Sequence, residues 1–194
     1  MQKRITKPEL KVLERFVGKK LSCIGGEYLD SSLYSDSIFI KAEDASAFIW
    51  GDYFSQDFAG FGDDFSFFSV DETKEKKVEA ATKKGNLYYF HAGESITNIN
   101  LARLTVTRIN KDGSKSSYVT DIAIVFFLTR GSLTLFRDNL HLESFQVSFS
   151  SEIGNPKIGL VETHYGQDGD MDHGVVFRFA TEFVDLQDAL SELE

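Results

Sequence analysis

The chain of 194 residues is 42% hydrophobic and 26% charged, contains 18 Phe but only 2 Pro, and has a formal charge of −9. A chain of this length buries roughly 70% of its unfolded surface, so its core needs no metal or disulfide. No stretch approaches the ~20 apolar residues that cross a bilayer, and the negative charge disfavours nucleic acid, whose binding proteins usually present a basic face. We expect one domain over residues 1–194 that contacts neither membrane nor nucleic acid.

The chain begins with a predicted amphipathic helix. Thr6-Lys7-Pro8-Glu9 has the residues of a capping box followed by a first-turn proline. Leu10, Leu13, Phe16 and Val17 then fall on one face, and Gly18 is a suitable left-handed stop. The helix is expected to pack over the end of a sheet.

After Gly18 the hydrophobic period changes from helical to two, which is typical of strands. Strands in the first half are predicted at 21–28, 37–41, 47–54 and 65–70. The lysine-rich stretch 71–86 predicts either a charged loop or a short exposed helix. If a second domain begins anywhere, it begins there.

The second half shows the clearest strand pattern. Segments 96–109 and 117–128 alternate around the turn sequence Asn110-Lys-Asp-Gly113, which predicts a long hairpin. Further strands are predicted at 133–136 and 140–149, and a last hairpin joins 158–165 to 175–183. Asp185 is placed to start a C-terminal helix.

About ten strands between two short terminal helices predict a mainly β fold, with a minor α+β component. Its architecture is either an antiparallel β-sandwich or a strongly curved, barrel-like sheet. The edge strands of an open sheet could pair in a dimer, so the oligomeric state is left open.

Charge is divided into blocks along the chain. Lys and Arg number 7 against 2 Asp and Glu in residues 1–20, 1 against 11 in residues 21–72, and 2 against 12 in residues 138–194. Clustered carboxylates raise the encounter rate with a basic partner. Alternatively, the blocks interleave in the fold and neutralise one another.

An acidic, aromatic segment over residues 48–68 contains nine aromatic residues. Its middle, 57–64, combines two Gly, three Asp and two Phe, so it is not expected to be a regular strand. A loop here could place aromatic anchors in a partner's pocket while its aspartates meet a Lys and Arg rim. It could also fold back as a plug, or offer a platform to a sugar ring. The candidate partner-binding residues are Asp52, Asp57, Phe58, Phe61, Asp63 and Asp64.

A second acidic loop places Asp168, Asp170 and Asp172 at alternate positions, as calcium loops do. The match is poor, because His173 stands where an EF-hand has Gly and Phe179 where it has the bidentate Glu. His164 and His173 match no zinc spacing. We expect a solvated hairpin loop, without metal.

Catalytic motifs are missing from the sequence. There is no Gly-rich phosphate loop, His-Glu zinc motif or serine elbow. Cys23 is the single cysteine, so it cannot form an internal disulfide, and it is expected to be a buried structural residue. The first 25 residues also lack the pattern of a secretory signal. We expect a cytoplasmic protein that is not an enzyme and holds no cofactor.

The leading hypothesis is an acidic binding protein that masks or inhibits a basic protein. An immunity protein for a nuclease-type toxin is one concrete version. The alternative is a β-barrel or sandwich module that binds a small apolar or sugar ligand in a Phe-lined cavity.

Overall fold

The computed structural model describes residues 2–26, 34–57, 62–72, 86–89, 94–151 and 175–193. These residues form twelve strands and two helices. In chain order they are β1 (Gln2–Lys3), α1 (Lys7–Glu14), β2 (Leu21–Gly26), β3 (Tyr34–Ser35), β4 (Ser37–Ala42), β5 (Ala45–Asp57), β6 (Gly62–Glu72), β7 (Asn86–Tyr89), β8 (Ile96–Ile109), β9 (Lys115–Leu128), β10 (Ser132–Phe136), β11 (Phe145–Ser150), β12 (Val176–Asp185) and α2 (Leu186–Ser191).

The strands form two sheets. A seven-stranded sheet has the order β12-β8-β9-β10-β11-β3, with β1 added beside β9, and a five-stranded sheet has the order β6-β5-β4-β2-β7. All pairings are antiparallel except that of β1 with β9. The predicted mainly β fold with terminal helices is confirmed, and its architecture is sandwich-like, not a closed barrel.

The N-terminal helix forms as its capping sequence predicts. The backbone N–H of Thr6 donates to Glu9 Oε2 at 2.7 Å, and Pro8 lies in the first turn. Gly18 has a φ of +82°, the left-handed conformation expected after a helix. Val17 differs from the prediction: it is 36% exposed, because the helix ends at Glu14.

The long hairpin of β8 and β9 is confirmed, and its turn closes with a bond from Gly113 N–H to the Asn110 carbonyl. A β-bulge lies between Ala102 and Arg103 in the register with β9. A bulge adds one residue to one strand and changes which side chains share a face. It therefore aligns Arg103 with Asp121, and these two buried side chains form an ion pair.

One predicted strand is shorter than expected. Strand β11 begins at Phe145, whereas the pattern predicted a strand from residue 140. The reason is that Leu140 and Leu142 direct their carbonyls to Ser66 on β6 instead of to a neighbouring strand. Segments 158–165 and 73–85 lie outside the described residues, so the last hairpin and the boundary at 71–86 stay predictions.

The main core lies between the two sheets and beneath both helices. Phe16, next to α1, meets Phe126 of β9 edge to face, with ring centroids 6.3 Å apart. Phe68 of β6 packs against Phe145 of β11, with ring centroids 5.3 Å apart, and this contact joins the two sheets. Each ring is buried, which stabilises the fold by about 1.5–3 kcal/mol per side chain.

A smaller core centres on Tyr118 of β9, which is fully buried. Its ring lies 4.7 Å from Phe65 of β6 and 5.9 Å from Phe54 of β5, between centroids. Burial raises the pKa of the Tyr118 hydroxyl from 10.0 to about 12. The folded chain therefore holds this proton more tightly than the unfolded chain does.

We expect the contribution of Tyr118 to stability to be complete below about pH 10 and to disappear as pH rises to about 12. The folded pKa is the higher one, so unfolding releases a proton in this window, and the loss amounts to about 2–3 kcal/mol. Denaturant titrations across this range test it. In Tyr118→Phe, this decrease in the free energy of unfolding between about pH 10 and 12 should be absent. Tyr53→Phe, at a residue that is 40% exposed, should still show the decrease. Equal alkaline losses in all three proteins would contradict the assignment.

Among the described residues, no helix is long and apolar enough to span a bilayer.

Candidate interaction surface

The acidic, aromatic segment forms a hairpin. Strand β5 continues to Asp57 and β6 begins at Gly62, and these two residues pair across the ladder. Asp57, Asp63 and Asp64 therefore lie on strands, and the irregular part is shorter than expected. Phe58 and Phe61 lie outside the described residues.

The strand register separates the candidate aspartates. Asp52 lies opposite Phe67 on the paired strand. The next residue, Tyr53, lies opposite Ser66, and two residues further along β5 Ser55 lies opposite Asp64. Because side chains alternate along a strand, Asp52 lies on one face of the hairpin and Asp64 on the other. The structure thus does not bring these two carboxylates to one surface.

Asp52 lines a surface groove of about 460 Å³ on the face of the hairpin that also carries Phe54 and Phe67. The Lys3 ammonium lies 4.1 Å from the ring centroid of Phe67 and 5.8 Å from that of Phe54. This cation–π contact covers the aromatic face that a sugar would need. The groove is lined by Gln2, Lys3, Arg4, Thr6, Glu9, Asp52, Phe67 and Ser69.

The opposite face of the hairpin holds the loop of residues 137–144. Ser66 donates its backbone N–H to the Leu140 carbonyl at 2.8 Å, and its Oγ lies 2.7 Å from the Leu142 carbonyl. His141 Nδ1 lies 3.0 Å from the Asp64 carbonyl, so this nitrogen carries the proton and donates. These bonds attach residues 140–142 of the loop to Asp64 and Ser66 of β6.

Gly51 of β5 brings two further acidic residues close. Its N–H donates to the Asp36 carbonyl at 3.0 Å, and its Cα packs against the carbonyl of Glu143 so closely that a Cβ would overlap that oxygen. A glycine is required here because any side chain would push the loop away from the strand.

Two apolar side chains stand exposed where the loop meets the hairpin. Tyr53 is 40% exposed and its hydroxyl donates to the His141 carbonyl at 3.3 Å, and Leu142 is 49% exposed. Three exposed acidic residues belong to the same segments: Glu143 follows Leu142, the Asp64 carbonyl accepts from His141, and the Asp36 carbonyl accepts from the Gly51 N–H. We call this set the Tyr53–Leu142 patch; it consists of Tyr53, Leu142, Asp36, Asp64 and Glu143.

A buried cation supports the patch from below. Arg137 is 1% exposed, donates from Nη2 to the Leu142 carbonyl at 3.1 Å, and lies with its Cζ 5.4 Å from the ring centroid of Phe68. Burial lowers the pKa of its guanidinium to about 10. Its Nε and Nη1 have no hydrogen-bond partner among the described residues. Arg137 thus holds the loop in place through the Leu142 carbonyl. Its positive charge forms no ion pair with the described carboxylates of the patch.

The charge blocks are partly neutralised in the fold. Arg15 pairs with Glu72, Lys19 with Asp44, and Arg4 with Glu192 at 2.7 Å. These contacts join the basic N-terminal block to both acidic blocks. They agree with the alternative that the charge blocks neutralise one another in the fold. Within the described part of the chain, the three carboxylates of the patch form no ion pair.

Metal and nucleophile chemistry gain no support from the described residues. They contain no group of three His, Cys, Asp or Glu side chains that could hold a metal, and Asp168, Asp170 and Asp172 lie outside them. Cys23 is 7% exposed, and burial raises the pKa of its thiol. A raised pKa keeps a thiol protonated and unreactive, as a structural cysteine requires.

The sequence pointed to the hairpin but missed most of the patch. Tyr53 and Leu142 follow ordinary strand alternation, and neither stands out in composition. The turn sequence Arg137-Asp-Asn139 was the signal that a loop follows β10, yet its contact with β6 is non-local. No protein-family model, curated protein or solved structure matches the chain.

Proposed function

We propose that this protein binds a basic protein partner through the Tyr53–Leu142 patch and so masks or inhibits it, as an immunity protein masks a toxin. One observation carries the proposal: two exposed apolar side chains share one patch with three exposed carboxylates that form no ion pair with other described residues. An aromatic anchor within a charged rim is the typical arrangement of an interaction hot spot.

The rigidity of the patch supports the same proposal. The loop that carries Leu142 and Glu143 is held by Ser66, His141 and Arg137 through five hydrogen bonds to or from backbone carbonyls or amides. A surface fixed before binding loses little conformational entropy when the partner arrives. The carboxylates add long-range attraction to a basic partner and increase the association rate.

The ligand-binding alternative has weaker support. The groove beside Asp52 has one aromatic side chain in its lining, Phe67, and Lys3 lies over that ring. A Phe-lined cavity would instead need apolar walls with a few polar groups. The unpaired thiol of Cys23 is consistent with a reducing, cytoplasmic setting, which we include in the proposal.

We expect the immobilised chain to capture a basic protein from an extract of its source cells, in a manner that weakens as salt increases. Neutralising the rim with Asp36→Asn, Asp64→Asn and Glu143→Gln together should lower the affinity for that protein about tenfold. Tyr53→Ala should lower it about 30-fold, since it removes the aromatic anchor. Mass spectrometry of the captured protein and titration calorimetry with it measure both effects.

A matched control separates the patch from net charge. Asp71→Asn, Asp112→Asn and Asp188→Asn together change the charge by the same amount at exposed positions outside the patch, and should leave affinity unchanged. The proposal is wrong if both triple variants bind equally, if the captured protein is acidic, or if no protein is captured.

A further inference from the structure

The groove of about 460 Å³ lies where strand β1 of one sheet meets the β5–β6 hairpin of the other. Its volume falls within the ~300–1,000 Å³ that is typical of small-molecule sites. Lys3 stands on one wall and Asp52 and Phe67 stand on the other, and we call it the Lys3–Asp52 groove. Because Tyr53 of the Tyr53–Leu142 patch points to the opposite face of the hairpin, the groove is a separate site.

Two opposite charges in the groove are not neutralised by the described part of the fold. The Lys3 ammonium lies 4.1 Å from the Phe67 ring centroid and forms no ion pair with any described residue. Asp52 is exposed, and within the described ranges its carboxylate accepts only the neighbouring Tyr53 N–H, at 2.9 Å. Each group can therefore still bind a ligand group of opposite charge.

The other two charged residues that line the groove already have partners. Arg4 pairs with Glu192 outside the groove, at 2.7 Å. Glu9 Oε2 accepts the Thr6 N–H at 2.7 Å, and Glu9 Oε1 accepts the Val70 N–H at 2.9 Å, so both carboxylate oxygens are bonded. The charges that remain for a ligand are thus one cation and one anion.

The walls of the groove are held in place by bonds outside it. Ile5, two residues after Lys3, donates its N–H to Asp121 Oδ2 at 2.9 Å, and β1 pairs with β9. On the opposite wall, Asp52 pairs with Phe67 within the continuous ladder of β5 and β6. A site formed before binding loses little conformational entropy when the ligand arrives.

We propose that the Lys3–Asp52 groove binds a small zwitterion of the α-amino acid class. The carboxylate of the ligand contacts the Lys3 ammonium, and its ammonium contacts the Asp52 carboxylate, so both charges gain a partner. Ser69 lines the same groove, is 7% exposed and forms no hydrogen bond with a described residue. Its hydroxyl is a further donor to the carboxylate of the ligand.

Electrostatics favours a zwitterion over a simple ion. The chain has a formal charge of −9, which repels a free anion that approaches from solution. A simple cation would neutralise Asp52, but it would share the groove with the Lys3 ammonium, and like charges repel at close range. A molecule with both charges has no net charge for the chain to repel, and it neutralises both groups of the groove.

NMR titration of the full chain with L-serine tests the proposal, together with two analogues that each lack one charge. N-acetyl-L-serine has no ammonium and L-serinamide has no carboxylate, so we expect each to bind about tenfold more weakly than L-serine. Asp52→Asn should weaken L-serine binding by a similar factor and leave N-acetyl-L-serine binding unchanged. Lys3→Met should weaken L-serine binding and leave L-serinamide binding unchanged, because each variant removes only the contact that the analogue already lacks.

Lys111→Met and Asp112→Asn are the matched controls, because each removes one charge at the exposed turn between β8 and β9. Both should bind L-serine as the natural chain does, and circular dichroism checks that every variant is folded. Tyr53→Ala should also retain L-serine binding, while Asp52→Asn should still capture the basic partner, so the two proposals fail separately. No saturable binding of L-serine, an analogue that binds as tightly as L-serine, or unchanged L-serine binding in Asp52→Asn overturns the proposal.

Discussion

Arg103→Ala is expected to lower the free energy of unfolding by about 3–5 kcal/mol, because it leaves the Asp121 carboxylate buried without its cation. Arg103 Nε lies 3.2 Å from Asp121 Oδ1, and the two side chains are 6% and 1% exposed. Arg103 Nη1 also lies 2.8 Å from Glu192 Oε2, beyond the C-terminal helix. A single substitution therefore breaks a network that joins β8, β9 and the C-terminus.

The chemistry of Asp121 explains the size of the effect. Burial raises the pKa of its carboxyl, against the lowering by Arg103 and by the Ile5 N–H, which donates to Oδ2 at 2.9 Å. Without Arg103 the carboxylate would have to take up a proton to stay buried. The loss in Arg103→Ala should consequently become smaller as pH falls.

Equilibrium unfolding in urea measures the change, and two variants serve as controls. Arg103→Met/Asp121→Asn removes both charges and keeps an acceptor for Ile5, so it should recover most of the lost stability. Lys11→Ala breaks the exposed pair with Glu14, 3.0 Å apart, and should cost below about 1 kcal/mol. If Arg103→Ala is as mild as Lys11→Ala, the buried pair does not have the role assigned to it.

Gly131→Ala is expected to lower stability by about 2–4 kcal/mol through two separate costs, backbone strain and overpacking. Gly131 lies in the turn between β9 and β10 with a φ of +92°, where a side chain is strained. A Cβ at this position would also overlap the carbonyl oxygen of Ser150 at the end of β11. The substitution would therefore force apart two paired strands.

Gly113→Ala separates the two costs. Gly113 has a similar φ of +80° in the turn between β8 and β9, but a Cβ there would meet no atom within 4 Å. It should lose only the strain, about 1 kcal/mol. Thermal and urea unfolding of both variants give the comparison, and equal losses would show that the contact with Ser150 relaxes without cost.

Elements with local signals were predictable from the sequence. Thr6 to Glu9 contains the capping box of α1, and Asn110 to Gly113 contains the turn of the central hairpin. These signals act between residues close in the chain, so their physics is complete within a short window. The C-terminal helix was predictable for the same reason, since Asp185 accepts the N–H of Gln187 at 2.9 Å.

The candidate surface was less predictable because it depends on distant contacts. The sequence grouped Asp52 with Asp64 in one partner-binding set, and only the strand register places them on opposite faces. The loop that carries Leu142 resembles a strand in its pattern, and it is a loop because Ser66, 76 residues earlier, bonds its carbonyl. Such pairings between distant segments leave no mark in a single sequence.

The parallel strand β1 affects how the chain can fold during synthesis. It pairs with Val119 and Thr120, and Ile5 next to it bonds Asp121, 116 residues away. At ribosomal rates of ~5–20 residues per second, the first residues wait roughly 6–23 s for these partners. Helix α1 waits longer still, since Glu14 accepts from Gln187 of α2 at 3.1 Å. The native surroundings of α1 therefore stay incomplete until α2 has left the ribosome.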